Sequence, residues 1–537
     1  MLDRTADWLS SRPAWLWRAL ALSIITALAL AALFTNSLVV DGKRYFWLDD
    51  DQMISMRYAR NLADGHGLVW NPGERVEGYT NFLWIVVTAG VHLLPLDDAH
   101  TSLVVRLLNL VLLGVSLLLA ERILRRFRPA ARLALPALLL PLVFCYDMQF
   151  WAFHGFETTL LMMVFLWVVD RMLEESATNS SRWTTYALLG LLPLIRSDAH
   201  HLWLVAAILA FVTARERGPT LWRLGLAALP ALGHLLFRLA YYGEWLPNTY
   251  YLKVAGHDLA RRLELGLDYL AYFATFYWMA LLLALFGALM TEDRRRRWLF
   301  LGFLASLAYV AWVGGDMYPG ARFLAPYLPL LLVLALAAIG DLVPNNRVAE
   351  LALSTALALG SIMFAAFLTI YGSGYAVLET KNGGPAQSLV AALAIRENSS
   401  PDARVAVHAA GVLPYFSRRY CIDLLGKTDP VVARLPPRDY PVGHNKYDPE
   451  HSLGAMRADM VAMLWLPRGA GSCSDQARAV VRAGAPPWVG FLYESPIFQR
   501  EFCGKVVEFP GAVPIYVRRS SPEAARLSSW RPPVVGR

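Results

Sequence analysis

The chain has 537 residues, of which 56% are hydrophobic and only 17% are charged. That balance excludes an ordinary soluble domain and a disordered polymer, and it fits a polytopic membrane protein. The formal net charge of +8 does not imply nucleic acid as a partner, because the arginines gather beside apolar runs, as topology signals do.

The first apolar run, from Ala19 to Val40, is too long for a secretory h-region and no small-residue cleavage site follows it. It therefore reads as a transmembrane helix over 19–39 that stays attached. Arg4, Arg12 and Arg18 ahead of it, Arg122 to Arg132, Arg215 to Arg223 and Arg294 to Arg297 mark cytoplasmic edges. Threading the chain under that rule gives spans at 19–39, 102–121, 133–149, 157–173, 184–195, 199–214, 221–240, 267–290, 298–314, 322–341 and 349–371, about eleven helices in all. The two around 184–214 are short and broken by Arg196-Ser197-Asp198, as suits half-helices that line a cavity. The apolar stretch 82–94 reads as a juxtamembrane or re-entrant helix on the outer face. Counting it as a span would put the Arg122 to Arg132 cluster outside.

So threaded, residues 41–81, 154–157, 196–198, 241–266 and 314–320 all fall on the outer side. Random scatter would have divided them between the two sides, so their convergence indicates one outward-facing site. After Ile370 the composition turns globular, and 373–519 reads as an extracytoplasmic α/β domain following a membrane domain over 1–372. Strands are expected at 404–408, 420–425, 460–466 and 506–517, and helices at 386–397 and 474–483. Cys421, Cys473 and Cys503 lie in this domain. An oxidising compartment permits a disulfide, with Cys473 and Cys503 the expected pair and three free thiols the alternative. The tail 520–537, rich in Arg, Pro and Ser, is expected to be poorly ordered.

The densest polar segment lies between the first two spans. Asp49, Asp50 and Asp51 are adjacent, so their mutual repulsion should raise at least one pKa unless a cation compensates. A carboxyl so tuned can act as a general base toward a hydroxyl. The same acids could simply cap a helix over 52–62. Arg57 and Arg60 follow on that helix, suited to carboxylate or phosphate. His66, Asn71, Glu77, Tyr79 and Asn81 then sit in a turn-rich stretch that suits carbohydrate or phosphate better than a lipid tail. His154 and Glu157 begin an outer helix end, where a carboxylate needs a partner or a water-filled cavity. Arg196 and Asp198, like Arg322 and Asp316, either pair with each other or meet a ligand.

The runs FWLDDDQMISMRYARNLADGHGLVWNPGERVEGYTNFLW, HGFETTL, RSD, NTYYLK, GGDMYPGARFLAPYLP and IDLLGKTD occur in this order. Over about residues 45 to 435 the chain thereby resembles the integral-membrane GT-C glycosyltransferases, nearest the mycobacterial-type terminal arabinofuranosyltransferases that use decaprenylphosphoryl arabinose. The resemblance implies a GT-C fold, a polyprenyl-phosphate sugar donor and a catalytic Asp in the first outer loop. Carried over by position, its Asp-Asp-x-x-Ile-Ser pattern falls on Asp50, Asp51, Ile54 and Ser55, making Asp50 the first choice for the base and Asp51 the second. Glu157 becomes a second acidic residue. Ser197 stands where the family usually has Pro, and Lys427 where it usually has Leu.

A polyprenyl phosphate leaves as an anion, so such a site must bring cations to it. Arg57, Arg196, Lys253 and Arg322 are the candidates. His66, Asn71, Glu77, Tyr79, Asn81, His154, Asp198, Asn248, Tyr251 and Asp316 are candidates for holding substrate. Asp50 and Asp51 would also suit a divalent cation such as Mg, Mn or Ca, although nothing in the sequence demands one. Asp423 to Asp429, with His444, Lys446 and His451, is the polar stretch of the C-terminal domain that could face the site. The expected function is glycosyl transfer onto a cell-envelope glycan by a monomer in a bacterial plasma membrane, with the bilayer, the lipid donor and the glycan as partners. A lipid-linked sugar transporter or flippase, and a GT-C enzyme acting on a protein acceptor, are the alternatives.

Overall fold

A computed structural model describes residues 12–128, 134–316, 318, 321–343, 346–371, 384–438, 442–462, 487–503, 506–507, 509–510 and 512–536. It divides into two compact units, each assembled from three stretches of chain. The first comprises Met1–Ala32, Arg106–Phe237 and Asp258–Leu378, and the second Leu33–Val105, Arg238–His257 and Glu379–Arg537. The second unit thus joins the first polar loop to the C-terminal region, across the boundary at 372 expected from the sequence.

The first unit is helical. Among the described residues, the helices Ala14–Thr35, Asp98–Phe127, Arg217–Tyr242 and Leu259–Met290 and the helical stretch Ala325–Leu342 are long and apolar enough to cross a membrane. A sixth span results if Tyr146–Phe153 and Thr158–Thr178, bent by 119° at their break, form one broken span. Eleven spans are therefore not reached on length and hydropathy together, and the chain is a multi-pass helical protein at that coarser level. Trp183–Ile195 and His200–Thr213 are separated at 196–199, as the sequence suggested. At 13 and 14 residues each is about 20 Å long, short of a bilayer core of about 30 Å.

The Leu328–Leu342 helix is apolar around its whole circumference and buried from Leu328 to Ile339, as expected of a central helix. The arginine clusters beside the spans are neutralised locally. Arg126 and Arg122 meet Asp170, Arg18 and Arg125 meet Glu121, and Arg296 meets Asp341.

In the second unit, β3 (Arg404–Val407), β4 (Tyr420–Asp423) and β5 (Met460–Ala462) are parallel, and β7 (Ile515–Val517) and β6 (Val506–Val507) add antiparallel, in the order β4-β3-β5-β7-β6. One face packs on a core of Ile422, Leu453, Val461, Leu492, Phe498 and Tyr516. The α/β reading of this region holds. The apolar run 506–517 proves to be a two-stranded hairpin rather than one strand. The expected helix 474–483 lies outside the described residues.

The first helix ends at Thr35, and β1 (Ser37–Val40) and β2 (Lys43–Phe46) form a hairpin. Asp41 and Gly42, with φ of 48° and 76°, supply the two left-handed residues of the tight turn that matches strand twist. The stretch from Ser520, read as a poorly ordered tail, carries a helix at Glu523–Arg526 and a strand β8 (Val535–Gly536) paired antiparallel with β1. Unpaired backbone on β1 accounts for that order, because its outer edge offers hydrogen bonds that a composition-based reading of the tail cannot see. Cys503 is disulfide-bonded while Cys145 and Cys421 are free. Its expected partner, Cys473, lies outside the described residues.

Candidate functional site

The second unit builds a polar centre on the helix Asp50–Ala63. Asp49 is its N-cap, its Oδ1 accepting the Asp51 amide at 3.1 Å. Asp50 and Asp51 thereby fall in the first turn, where the helix dipole favours negative charge. The capping reading and the functional reading of these acids therefore divide between residues: Asp49 caps and its two neighbours are presented.

The Asp50 carboxylate accepts the amides of Val412 at 2.9 Å and Gly411 at 3.2 Å, one on each oxygen. A carboxylate has about four acceptor positions, so two remain for a hydroxyl. Only glycine fits at 411, since a Cβ there would lie 1.7 Å from the Asp50 carbonyl oxygen. Burial is the main cause that pushes the Asp50 carboxyl up to about 6, with Asp51 adding to it and Lys427 and the two amides opposing. Their adjacency predicts a raised carboxyl by repulsion, but burial is the larger cause here and Asp51 a lesser one.

Asp51 forms an ion pair with Lys427. Burial alone would lower the Lys427 ammonium, but Asp51 and Asp50 outweigh it and hold it above the ordinary lysine value. Asn248 fixes the loop that presents this lysine, donating to the carbonyls of Gly426 at 2.9 Å, Lys427 at 3.1 Å and Asp429 at 3.3 Å. Its own amide donates to the Glu77 carbonyl at 2.9 Å. The Asp423 carboxylate holds the same loop from within, accepting the amides of Leu425 at 3.0 Å and Thr428 at 2.7 Å. His444 lies beside it, its imidazole pushed down to about 3 by burial and then by Lys427, so it is neutral near pH 7. Lys253, whose stem lies against Gly443, forms no ion pair among the described residues.

Most of the other expected site residues of this unit are engaged by partners within the protein. Arg57 donates to the carbonyls of Trp70 and Pro414, both at 2.6 Å, to Asn71 Oδ1 at 2.7 Å and to the Arg419 carbonyl at 2.8 Å. Its guanidinium lies over the Trp70 ring and is buried, so its donors serve the fold. Arg60 donates to the Tyr415 carbonyl at 2.7 Å. Asn71 ties down Cys421 by both its amide and its carbonyl, and Asn81 exchanges hydrogen bonds with Ser55. Glu77 is ion-paired with Arg238, and Tyr79 shares a hydroxyl contact with Tyr242 at 3.1 Å. Tyr251 donates to Glu244, and Lys446 to three backbone carbonyls. His451 pairs with Asp429 at 2.9 Å, and His66 is exposed.

The first unit has its own polar cluster. Glu157, fully buried, accepts from Arg322 at 2.9 Å and Arg196 at 3.3 Å. Arg196 is also bidentate to Asp198, at 2.7 and 2.8 Å, and Arg322 approaches Asp316 at 3.5 Å. Arg322 stands over the rings of Phe156 and Trp151, and Arg196 over Phe323. The pairing raised by the sequence is present, since each arginine meets its neighbouring acid, and both also converge on Glu157. His154 ends the Tyr146–Phe153 helix, its Nδ1 2.9 Å from the Phe150 carbonyl and its ring stacked on Phe150.

One buried acid near this cluster escaped notice in the sequence. Asp147 accepts the Ala321 amide at 3.0 Å and the Tyr277 hydroxyl, which fixes the backbone just before Arg322. An acid inside an apolar span was the available signal for it.

Among the described residues, no three of His, Cys, Asp and Glu are grouped so as to hold a metal ion. Asp50 and Asp51 fit a divalent ion poorly for a positive reason, namely that the Lys427 ammonium already occupies Asp51.

Comparison with known proteins places these features. A family model described as "Domain of unknown function (DUF8728)" matches residues 379–491. The terminal beta-(1->2)-arabinofuranosyltransferase of Mycobacterium tuberculosis is 29% identical over 47% of this chain and 42% of its own. That of Corynebacterium glutamicum is 28% identical over 53% of this chain and 47% of its own. The matched regions thus span about half the length of either curated relative. Among solved structures, ArnT from Cupriavidus metallidurans bound to undecaprenyl phosphate aligns at a TM-score of 0.54 and 13% identity, over 94% of this chain and 98% of that one. The resemblance read from the motifs is borne out, with arabinofuranosyltransferases as sequence relatives and a GT-C-like membrane fold.

Proposed function

We propose that this chain is a membrane glycosyltransferase that moves a sugar, arabinofuranose by its relatives, from a polyprenyl phosphate to a hydroxyl of a cell-envelope glycan on the outer face of the membrane. The observation that carries this reading is the Asp50 carboxylate. It is held by two backbone amides, keeps acceptor capacity free, and is pushed up to about 6, near the ideal for a base working at neutral pH. The relatives named as arabinofuranosyltransferases supply the sugar, and the ArnT structure bound to undecaprenyl phosphate supports the lipid-phosphate donor.

In this mechanism Asp50 accepts the proton of the attacking hydroxyl as the bond from that oxygen to the anomeric carbon forms and the bond to the phosphate oxygen breaks. Asp51, ion-paired with Lys427, lies beside it. The departing phosphate requires cations. Lys253, which forms no ion pair among the described residues and belongs to the unit that carries Asp50, is the residue assigned to it. Arg57 is withdrawn from that role and assigned to positioning, since four hydrogen bonds to protein acceptors occupy its guanidinium.

The test is transfer of labelled arabinofuranose from decaprenyl phosphate to an arabinan oligosaccharide by the purified chain. Asp50→Asn should slow it by about 100-fold or more, the usual scale of a lost general base. Full activity in that variant would remove Asp50 from the mechanism.

A further inference from the structure

Two neighbouring carboxylates beside a reacting hydroxyl hold more negative charge than a partly buried site tolerates without a cation. The described residues show what supplies it. We propose that the Lys427 ammonium is the fixed cation of the Asp50 and Asp51 pair, taking the place of a divalent ion, so that a segment matched by a family model of unknown function completes the reaction centre. The proposal rests on the reading of Asp50 as the base.

Its support is geometric. Lys427 is ion-paired with Asp51, and both side chains are largely shielded, at 16% and 17% exposure. The lysine does not reach the acids from a loose loop. Asn248 grips three carbonyls of that loop, Asp423 grips two of its amides, and Gly78 lets a third segment press on it, where a Cβ would lie 2.7 Å from Thr428 and 2.9 Å from the Lys427 carbonyl. The backbone beneath the lysine is therefore held independently of its ion pair.

The same C-terminal segment delivers the Gly411 and Val412 amides to Asp50. Three separate groups from one segment therefore converge on two adjacent acids. Among the described residues, the other charged or titratable neighbours include Asp49 on the same helix, Asp423, Lys253, His408 and His444, the last of which is neutral near pH 7. A divalent ion added to this set would meet Lys427 as a like charge.

The full-length protein in detergent decides the matter by two readouts: transfer rate with and without chelator, and Mn2+ binding followed by electron paramagnetic resonance. Wild-type transfer should be unchanged by chelation. Lys427→Ala should lose tenfold or more in kcat with little change in KM, and should bind Mn2+ at least about tenfold more tightly than wild type, because two carboxylates then lack their cation. A wild-type rate that collapses on chelation and returns with Mn2+, or equal Mn2+ binding by both proteins, overturns the proposal.

If Lys427→Ala does not fold, Lys427→Arg and Lys427→Met replace it. The arginine variant should keep transfer near the wild-type rate and the methionine variant should lose it, whereas equal rates overturn the proposal. Asp50→Asn separates the two readings: full activity there refutes the base, while the Mn2+ comparison still judges Lys427 by itself.

Discussion

At the scale of single residues, the chemistry depends on the charge state of Asp50. With its carboxyl raised to about 6, the base form gains population as pH rises through that value. Transfer should therefore increase from about pH 5 to 7 and then level off. Asp51→Asn removes a neighbouring negative charge that raises Asp50, so its acidic limb should move to lower pH. Initial rates against pH for both proteins check this, and a limb that moves upward would contradict the assigned electrostatics. Gly411→Ala is the steric counterpart. Its Cβ would sit 1.7 Å from the Asp50 carbonyl oxygen, so the amide cradle must open, at a cost of about 1–3 kcal/mol or more for overpacking. Loss of tenfold or more in kcat, with the helical content unchanged by circular dichroism, is the expected outcome.

Whole elements show what could be read in advance and what could not. Strands β3 and β4 and the helix at Gly384–Asn398 fall where short apolar runs between turns predicted them, because elements buried almost throughout read as continuous apolar stretches. The β1–β2 hairpin did not emerge from that logic, since Ser37 to Val40 continues the apolar run of the preceding helix. Asp41-Gly42 was the overlooked sign. The ion pair of Asp51 with Lys427 joins residues 376 apart in sequence, and no local pattern encodes such a pairing. The same limit governs Arg57, where residue type and helical position fit a phosphate ligand equally well and only the fold shows that backbone carbonyls take its donors.

Asn248 links these elements, since one side-chain amide spans the Lys427 loop. Asn248→Ala should cost about 1–3 kcal/mol through the unsatisfied carbonyls. It should also lower kcat, because Lys427 loses its fixed base. Thermal unfolding and transfer rates, measured together, check both effects, and a variant that unfolds earlier but transfers normally would show that the loop needs no clamp.

For the molecule as a whole, the second unit is not a C-terminal domain appended to a membrane bundle. It is assembled from three stretches of chain, and its contacts cross between them repeatedly. Arg57 from the first loop satisfies the carbonyls of Pro414 and Arg419, Asn71 satisfies Cys421, and Asn248 satisfies residues 426–429. Remove the first loop and the stretch that carries Asn248, and these buried acceptors lose their donors at about 1–3 kcal/mol each, against a total domain stability of only about 5–15 kcal/mol. The strand β8 likewise loses β1 as its partner. A fragment covering 379–537 should consequently fail to unfold cooperatively, although it carries the five-stranded sheet and the whole region matched by the family model. Circular dichroism melts of that fragment, beside a version fused through flexible linkers to residues 33–105 and 238–257, test the point. The fused version should recover a sharp transition, and Arg57→Met within it should abolish it, whereas a fragment that melts as sharply alone would show that the C-terminal region folds without the loop that carries Asp50.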